Sequence, residues 1–197
     1  MIDATILQSP EQAAHAFRAI LRSFSTPAVP VFIAAVDDAP LPLLPAAASA
    51  LLTLADYQTP IWLSPDLNVD IVRKYLRFHT GAAIVANAME AVFVLSNVSE
   101  VDTFTSQLNL GSHEYPDRST TVILQVSGFA RGHTVSVSGP GLKEPVQLSV
   151  EGVSRGMWQH MQKNSSYFPV GNDFMFASAK EIMALPRSQQ IKMWEAA

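Results

Sequence analysis

The chain has 197 residues, no cysteine and a formal net charge of −4. The lack of cysteine excludes disulfides, thiol catalysis, iron–sulfur clusters and cysteine-ligated zinc. The 13 lysine and arginine residues are scattered along the chain, so no basic patch predicts binding to nucleic acid.

The first quarter of the chain predicts a helix, a strand and a second helix. Ser9 can cap a helix that has Pro10 in its first turn and that ends at Thr26, before a proline. Residues 29–36 predict a strand, whose early proline indicates a sheet edge or a strand start. Residues 45–55 are rich in alanine and leucine on most faces, which predicts a buried helix. The apolar stripe of the first helix is predicted to be Ala13, Phe17, Ile20, Leu21 and Phe24.

The next segment continues the alternation of helix and strand. Residues 61–63 predict a short strand. Ser64 and Pro65 predict the start of a third helix, and Gly81 predicts its end. This alternation predicts a sheet with helices packed on it. The apolar face of the third helix is predicted to be Leu67, Ile71, Val72, Tyr75 and Leu76.

The second half of the chain is richer in predicted strands. A weak helix is predicted at residues 101–110 and a stronger one at 154–162, with two methionines and a tryptophan on one face. We predict a three-layer α/β/α fold with a mixed sheet of about seven strands, including an antiparallel portion near residues 134–150. The predicted strands are 84–85, 91–95, 120–126, 134–138, 146–150 and 174–177, and residues 182–185 are a last strand or a helix end.

Length and hydropathy bear on domain count and location. We expect residues 1–197 to form a single domain, since domains usually contain about 100–200 residues. The longest nearly apolar run, residues 41–55, contains two prolines and is too short to span a bilayer. The first residues include Asp3 and lack the basic segment of a secretory signal. These features predict a cytoplasmic protein without a membrane segment.

The common catalytic motifs are absent from the sequence. It contains no GxSxG serine elbow, no GxxxxGK[ST] phosphate loop and no HExxH pair. Residues 139–141 lack the third glycine of a dinucleotide-binding motif, so we interpret them as a turn. No lysine lies in a motif typical of a Schiff base, and we expect neither a cofactor nor a metal site. We interpret His15, His133 and His160 as surface or packing residues.

Three polar loops adjoin predicted core elements, at residues 77–81, 111–118 and 168–173. An imidazole beside a guanidinium can bind an anion such as phosphate, but the same residues are typical of solvated turns and helix ends. Asp173 can pair with an arginine or cap the entry to its strand. If the loops converge, they form an anion pocket or a docking surface. The candidate substrate-binding or interface residues are Arg77, His79, His113, Glu114, Asp117, Arg118 and Asp173, and no catalytic residue is assigned.

Several blocks of the sequence resemble the PhnH family, the H subunit of the bacterial carbon–phosphorus lyase core complex. The most recognisable block is 51–56 followed by 59–63, and the matching blocks cover nearly the full length in order. One departure is Ala28, which stands where the family has glycine, and a positive φ there would strain the turn. The further blocks are 76–80, 111–118, 121–126, 138–141, 168–171 with Asp173, and 185–188.

The resemblance implies a fold like the large domain of pyridoxal-phosphate transferases, without that cofactor's site. It also implies a homodimer when the chain is alone and a complex with the G, I, J and L subunits. The family is associated with displacement of adenine from ATP by an alkylphosphonate, which yields a ribose 1-phosphonate 5-triphosphate. We therefore expect a scaffolding or substrate-handling subunit with little activity alone, in contact with ATP or phosphonate inside the complex.

Two alternatives remain at this stage. One is a stand-alone enzyme that acts on nucleotides or phosphate esters through an Arg/His pocket, which requires the candidate side chains to lie within one pocket. The other is a pyridoxal-phosphate enzyme, which requires a lysine at the floor of a pocket.

Overall fold

The computed structural model of the chain describes residues 10–193, with the backbone alone described at 101–103. None of the described helices is long and apolar enough to cross a membrane. The α-helices are α1 (Pro10–Ser25), α2 (Pro45–Leu54), α3 (Asp70–Thr80) and α4 (Arg155–Ser165). The strands are β1 (Val31–Phe32), β2 (Ile61–Leu63), β3 (Phe93–Asn97), β4 (Thr121–Gln125), β5 (Thr134–Ser138), β6 (Val146–Ser149), β7 (Asp173–Ala177), β8 (Glu181–Leu185) and β9 (Gln190–Met193).

The strands form a large mixed sheet and a small antiparallel sheet. The large sheet has six strands in the order β1-β8-β7-β4-β3-β2. Its strands β2, β3, β4 and β7 run parallel, and β8 is antiparallel to both of its neighbours. The small sheet has the order β6-β5-β9. The prediction of an α/β fold with a mixed sheet is therefore confirmed. The predicted antiparallel portion, however, is a separate sheet.

Two apolar clusters cover the two faces of the large sheet. One cluster joins the sheet to α1, α2 and α3, and Leu51, Leu76 and Leu95 are fully buried in it. The other joins the opposite face to α4 and the small sheet, with Trp158 and Phe176 fully buried. The predicted α/β/α layering needs correction here, because the second outer layer is a small sheet with one helix. Strand β5 buries only alternate residues, as a strand does when one of its faces packs on a core.

Helix α1 occurs where it was predicted, and Ser9 lies outside the described residues. Its buried face consists of Ala16, Ala19, Ile20 and Ser23. The predicted stripe is wrong at Phe17 and Leu21, which are 46% and 53% exposed. Small side chains face the core here, where α1 packs against α2, a helix whose buried residues are mostly alanines. Close helix packing therefore outweighed side-chain size in deciding which face is buried.

Helix α3 begins later than predicted. The backbone N–H groups of Leu67 and Asn68 both donate to the carbonyl of Ser64, at 2.9 and 2.8 Å, and form a separate turn. The helix itself starts at Asp70 without a side-chain cap. Gly81 ends it with φ of 71°, so the predicted glycine stop is confirmed. Ile71, predicted on the apolar face, is 58% exposed.

Several other boundaries differ from the prediction. The strand predicted at residues 29–36 is reduced to β1, an edge strand, and Ile84 makes only an isolated bridge to Ile61. The weak helix at 101–110 is replaced by the 3₁₀ turns Val98–Thr103 and Thr105–Gln107. Residues 182–185 belong to a strand, and β9 was not predicted. The missed or overextended elements are all short, and short elements depend mainly on long-range pairing.

The turn after α1 has the left-handed backbone conformation that glycine usually adopts. Ala28 has φ of 61°, which costs an L-residue about 1–2 kcal/mol. Its N–H donates to the carbonyl of Ala184 at 3.1 Å, and its methyl group is buried in the second cluster. Burial of the methyl group and the backbone hydrogen bond offset the strain. The turn was expected to differ from that of a glycine-containing chain, but φ of Ala28 keeps the value typical of glycine.

Candidate functional site

Two of the three polar loops meet at the amino end of the large sheet, where β4 and β7 begin and β8 ends. Thr121 pairs with Asp173 in adjacent parallel strands. The N–H of Gly171 donates to the carbonyl of Leu110 at 2.8 Å. Arg187, just after β8, donates through Nη1 to the carbonyl of Pro116 at 2.6 Å. Residues 111–118 and 168–173 therefore form one surface, which the segment after β8 holds together.

An ion pair fixes the centre of this surface. Arg187 Nη2 lies 2.6 Å from Asp173 Oδ2, and Nε donates to Oδ1 at 3.1 Å. The backbone N–H of Arg187 also donates to Asp173 Oδ1, at 2.8 Å. The two side chains are only 13% and 21% exposed. The prediction that Asp173 pairs with an arginine is confirmed, and most donors of this guanidinium are occupied by the protein itself.

Asn172 ties the neighbouring loops together from inside. It is fully buried, and its Nδ2 donates to the carbonyls of Asn109 and Thr120 at 2.8 and 2.9 Å. Its backbone N–H donates to Asn164 Oδ1 at 2.8 Å, and Asn164 Nδ2 donates back to the carbonyl of Asn172 at 2.9 Å. Two carbonyl acceptors define which end of the Asn172 amide carries the nitrogen. The network positions α4 relative to the start of β4.

The other charged residues of the 111–118 loop lie on its outer rim. His113, Glu114 and Asp117 are exposed and form no hydrogen bond or ion pair with other described residues. Arg118 is also exposed, and its guanidinium lies 4.1 Å above the ring centre of Tyr115, a cation–π contact. The rim is therefore free to contact a partner or ligand, while Asp173 has a structural role beneath it.

Arg77 and His79 lie apart from this surface, in the last turn of α3. The His79 ring packs between Tyr75 and Phe78, with ring centroids 4.4 and 5.0 Å away. Both of its nitrogens are buried without a hydrogen-bond partner among the described residues. Arg77 is exposed, and its carbonyl accepts the N–H of Gly81 at the end of the helix. No described hydrogen bond, ion pair or ring contact joins this corner to residues 111–118 or 168–173.

We expect His79 to make the stability of the fold depend on pH. Burial lowers the pKa of His79 below its usual value of 6.5, and the Asp38 carboxylate opposes this less strongly. Below 6.5 the unfolded chain therefore binds more protons at His79 than the folded chain does. The contribution of His79 to the free energy of unfolding is complete above that pH and is lost as the pH falls through the folded pKa. Urea unfolding on both sides of 6.5 should show a smaller pH effect in His79→Gln. The matched variant His15→Gln, at an exposed position of α1, should retain the wild-type pH effect. If the free energy of unfolding of His79→Gln changes with pH as much as that of the wild type, His79 is not the source of the pH dependence.

Two pockets flank the large sheet at its opposite ends. A pocket of about 470 Å³ lies at the carboxyl ends of β3 and β4, beside Asn97 and Gln125, and none of its lining residues is charged. A smaller pocket of about 260 Å³ lies between the 3₁₀ turn at 105–107 and α4, and its lining includes His160 and Lys163. Neither pocket is lined by any of the seven candidate residues. Among the side chains that the structure describes, which leave out 101–103, no three His, Asp or Glu residues are grouped to hold a metal ion.

A comparison with known protein families supports the resemblance that the sequence blocks indicated. A family model described as bacterial phosphonate metabolism protein (PhnH) matches residues 5–192. The chain belongs to the PhnH family. The resemblance inferred from the sequence is therefore confirmed.

Two relatives of the PhnH-family chain are similar over most of their length. One is the alpha-D-ribose 1-methylphosphonate 5-triphosphate synthase subunit PhnH of Rhizobium meliloti (strain 1021), 30% identical over 181 residues, which are 92% of this chain and 90% of the relative. The other, from Stutzerimonas stutzeri, is named provisionally as a C-P lyase subunit protein, HtxG. It is 32% identical over 190 residues, which are 95% of this chain and 89% of the relative.

Blocks that carry the PhnH resemblance also make structural contacts that the sequence did not reveal. Gln189 Nε2 donates to the carbonyl of Pro140 at 2.8 Å, which ties the 139–141 turn to the segment after β8. Gly141 has φ of 85°, and a Cβ there would lie 2.6 Å from the carbonyl oxygen of Ser25. The turn thus packs directly on the end of α1. Arg187 and Asn172 were within or beside the matching blocks but were not selected as candidates, because their partners are distant in sequence.

Proposed function

We propose that this chain is a subunit of the carbon–phosphorus lyase pathway for phosphonate catabolism. In this role it supports displacement of adenine from ATP by an alkylphosphonate, which gives a ribose 1-phosphonate 5-triphosphate. The observation that carries the proposal is the match to the Rhizobium meliloti synthase subunit, which covers 92% of this chain and 90% of that relative. Because the match extends over nearly the whole of both chains, the proposal concerns the whole subunit, acting as one domain over residues 1–197.

A scaffolding or substrate-handling role is supported by how the polar residues are used. Arg187 and Asp173 bond to each other, Arg187 also donates to the carbonyl of Pro116, and Asn172 donates to two backbone carbonyls. By contrast His113 and Glu114 are exposed on the rim. The arrangement supplies a rigid frame beneath a charged outer surface, and it supports a subunit with little activity alone. In this proposal the rim contacts a partner subunit, or ATP or phosphonate held by the complex.

Exposed apolar side chains support association with other chains. Phe17 and Leu21 on α1 are 46% and 53% exposed, and Phe32 on the edge strand β1 is 74% exposed. Helix α1 contacts β1, so these side chains belong to adjoining elements. Large exposed apolar groups near an open strand edge are typical of interfaces. We propose that the partners are the G, I, J and L subunits in the cytoplasm, with a homodimer when the chain is alone. The likeness to the large domain of pyridoxal-phosphate transferases stays a prediction.

The alternative of a stand-alone enzyme has less support. It requires Arg77, His79, His113, Glu114 and Arg118 to lie around one substrate. The described contacts of His79 are with Tyr75 and Phe78, whereas the 111–118 loop is tied to Arg187. These contacts favour the subunit over an Arg/His pocket.

Reconstitution tests the proposal directly. The chain is co-purified with the G, I, J and L subunits, and adenine release from ATP is measured with and without methylphosphonate. We expect phosphonate-dependent release that falls to background when this chain is omitted and returns when it is added back. Since the isolated chain lacks the partners, it should release no adenine above the buffer control. Full release by the other subunits without this chain would overturn the proposal.

A further inference from the structure

The pocket beside α4 has the shape and position of a site for a small ligand. It has a volume of about 260 Å³, just below the roughly 300–1,000 Å³ of pockets that hold drug-sized ligands. That volume suits a compact ion or head group. It adjoins the surface where the polar loops meet, because Asn164 lines the pocket and also belongs to the network of Asn172.

Lys163 places a positive charge at this pocket, whereas the chain as a whole is negatively charged. The chain carries a net charge of −4, yet the lining residues that the structure describes include Lys163 and His160 and no aspartate or glutamate. Lys163 and His160 are three positions apart on α4, so they lie on one side of the helix. The ammonium group of Lys163 favours an anion as the ligand of this pocket.

Four of the polar side chains at the pocket are hydrogen-bond donors that the described protein leaves unused. The ammonium group of Lys163 makes no ion pair or hydrogen bond with other described residues. The hydroxyl groups of Thr105, Ser106 and Tyr167 likewise make none within residues 10–193. An ammonium group and three hydroxyl groups match the several acceptor oxygens of one tetrahedral oxyanion.

The frame of the pocket is fixed before any ligand arrives. Asn164 is buried and exchanges hydrogen bonds with the backbone of Asn172 at 2.8 and 2.9 Å. The Tyr167 N–H donates to the carbonyl of Asn164 at 3.1 Å, which continues the chain from the helix into the lining. Fixed backbone around the donors reduces the conformational entropy that binding would cost.

We propose that this pocket binds a small doubly charged oxyanion, either inorganic phosphate or an alkylphosphonate, with Lys163 as its charged anchor. The hydroxyl groups of Thr105, Ser106 and Tyr167 donate to the remaining oxygens. The alkylphosphonate source rests on the proposed function, whereas the oxyanion chemistry rests on the pocket alone. The two leucines of the lining, Leu108 and Leu110, give the short alkyl group of a phosphonate an apolar wall.

Titration calorimetry on the full chain tests the site with methylphosphonate and with inorganic phosphate, at constant ionic strength. We expect saturable 1:1 binding of at least one of the two anions. Lys163→Gln should weaken that binding at least about tenfold, because it removes a charge-assisted hydrogen bond. Lys143→Gln changes the net charge equally at an exposed position between β5 and β6, and it should leave the affinity unchanged. Thermal unfolding of both variants checks that each is folded.

The outcomes separate the source of the anion from the existence of the site. Binding of methylphosphonate in preference to phosphate supports the site and the phosphonate source, and binding of phosphate alone supports the site with phosphate as its ligand. The inference is overturned if folded wild-type chain binds neither anion, or if Lys163→Gln and Lys143→Gln weaken binding equally. Adenine release by the reconstituted complex is a separate readout, so loss of this site would leave the proposed function standing.

Discussion

Replacing Asn172 with aspartate is expected to lower the free energy of unfolding by about 3–5 kcal/mol at neutral pH, as for other buried charges without a partner. The new carboxylate would have nearly the shape of the amide, so packing is preserved. However, it would place an oxygen where Nδ2 now donates to the carbonyls of Asn109 and Thr120, at 2.8 and 2.9 Å. Two hydrogen bonds would become oxygen–oxygen repulsions at a position with no exposed surface.

The loss in Asn172→Asp should also depend on pH. Burial and the facing carbonyls favour the neutral carboxyl, so its pKa in the folded state would lie above the unfolded value of about 3.9. The penalty is therefore present at neutral pH and decreases as the pH falls through the folded pKa, because the protonated carboxyl can donate to one carbonyl.

Urea unfolding of wild type, Asn172→Asp and Asn87→Asp at neutral and acidic pH measures both effects. Asn87 is a matched control, since its side-chain oxygen accepts the N–H of Met89 at 3.0 Å and a carboxylate keeps that bond. We expect a change of less than about 0.5 kcal/mol there, as at most surface positions. A loss at Asn172 no larger than at Asn87 would show that the network does not hold the loops.

Replacing Arg187 with alanine is expected to destabilise the fold by about 3 kcal/mol, the low end for a broken buried pair. The side chains of Arg187 and Asp173 are 13% and 21% exposed, so solvent compensates only partly. The change leaves the Asp173 carboxylate without its charged partner and removes the hydrogen bond from the guanidinium to the carbonyl of Pro116. We therefore also expect residues 111–118 to become more susceptible to proteolysis.

The matched control for Arg187 is a surface pair of the same chemistry. Arg73 lies 3.4 Å from Asp70, with side chains 33% and 64% exposed. Because exposed pairs contribute about 0–1 kcal/mol, Arg73→Ala should lose far less stability in urea unfolding. Equal losses in the two variants, or unchanged proteolysis of the 111–118 loop, would mean that Arg187 does not clamp this surface.

The loops of the candidate site show what local sequence composition can predict and what it cannot. The 111–118 and 168–173 loops were predicted as polar segments next to core strands, and both contribute to the surface at the amino end of the sheet. The segment with Arg77 and His79 is also polar, yet it lies at the end of α3, where the His79 ring packs on Tyr75 and Phe78. Composition predicts that a segment is polar and exposed, but the strand order decides which segments meet.

Lys163 and His160 show what the spacing of residues along a helix leaves open. His160 was interpreted as a surface or packing residue because it lies on a predicted helix without a motif. The structure places it with Lys163 at a pocket whose other wall, residues 105–110, comes from a distant part of the chain. Spacing of three along a helix is visible in the sequence, but the wall that makes it a pocket is not.

The sequence by itself determined the elements whose causes are local and the family to which the chain belongs. Gly81 ends α3 with a left-handed backbone, as its position predicted. Ser154, the first residue of the helix predicted at 154–162, caps α4 by accepting the N–H of Met157 at 3.0 Å. The tertiary structure alone decided that the strands at 134–149 form a second sheet, that Phe17 faces solvent, and that Arg187 joins three segments. Caps and turns depend on bonds between near neighbours, whereas sheet partners, buried faces and pockets depend on which distant segments pack together.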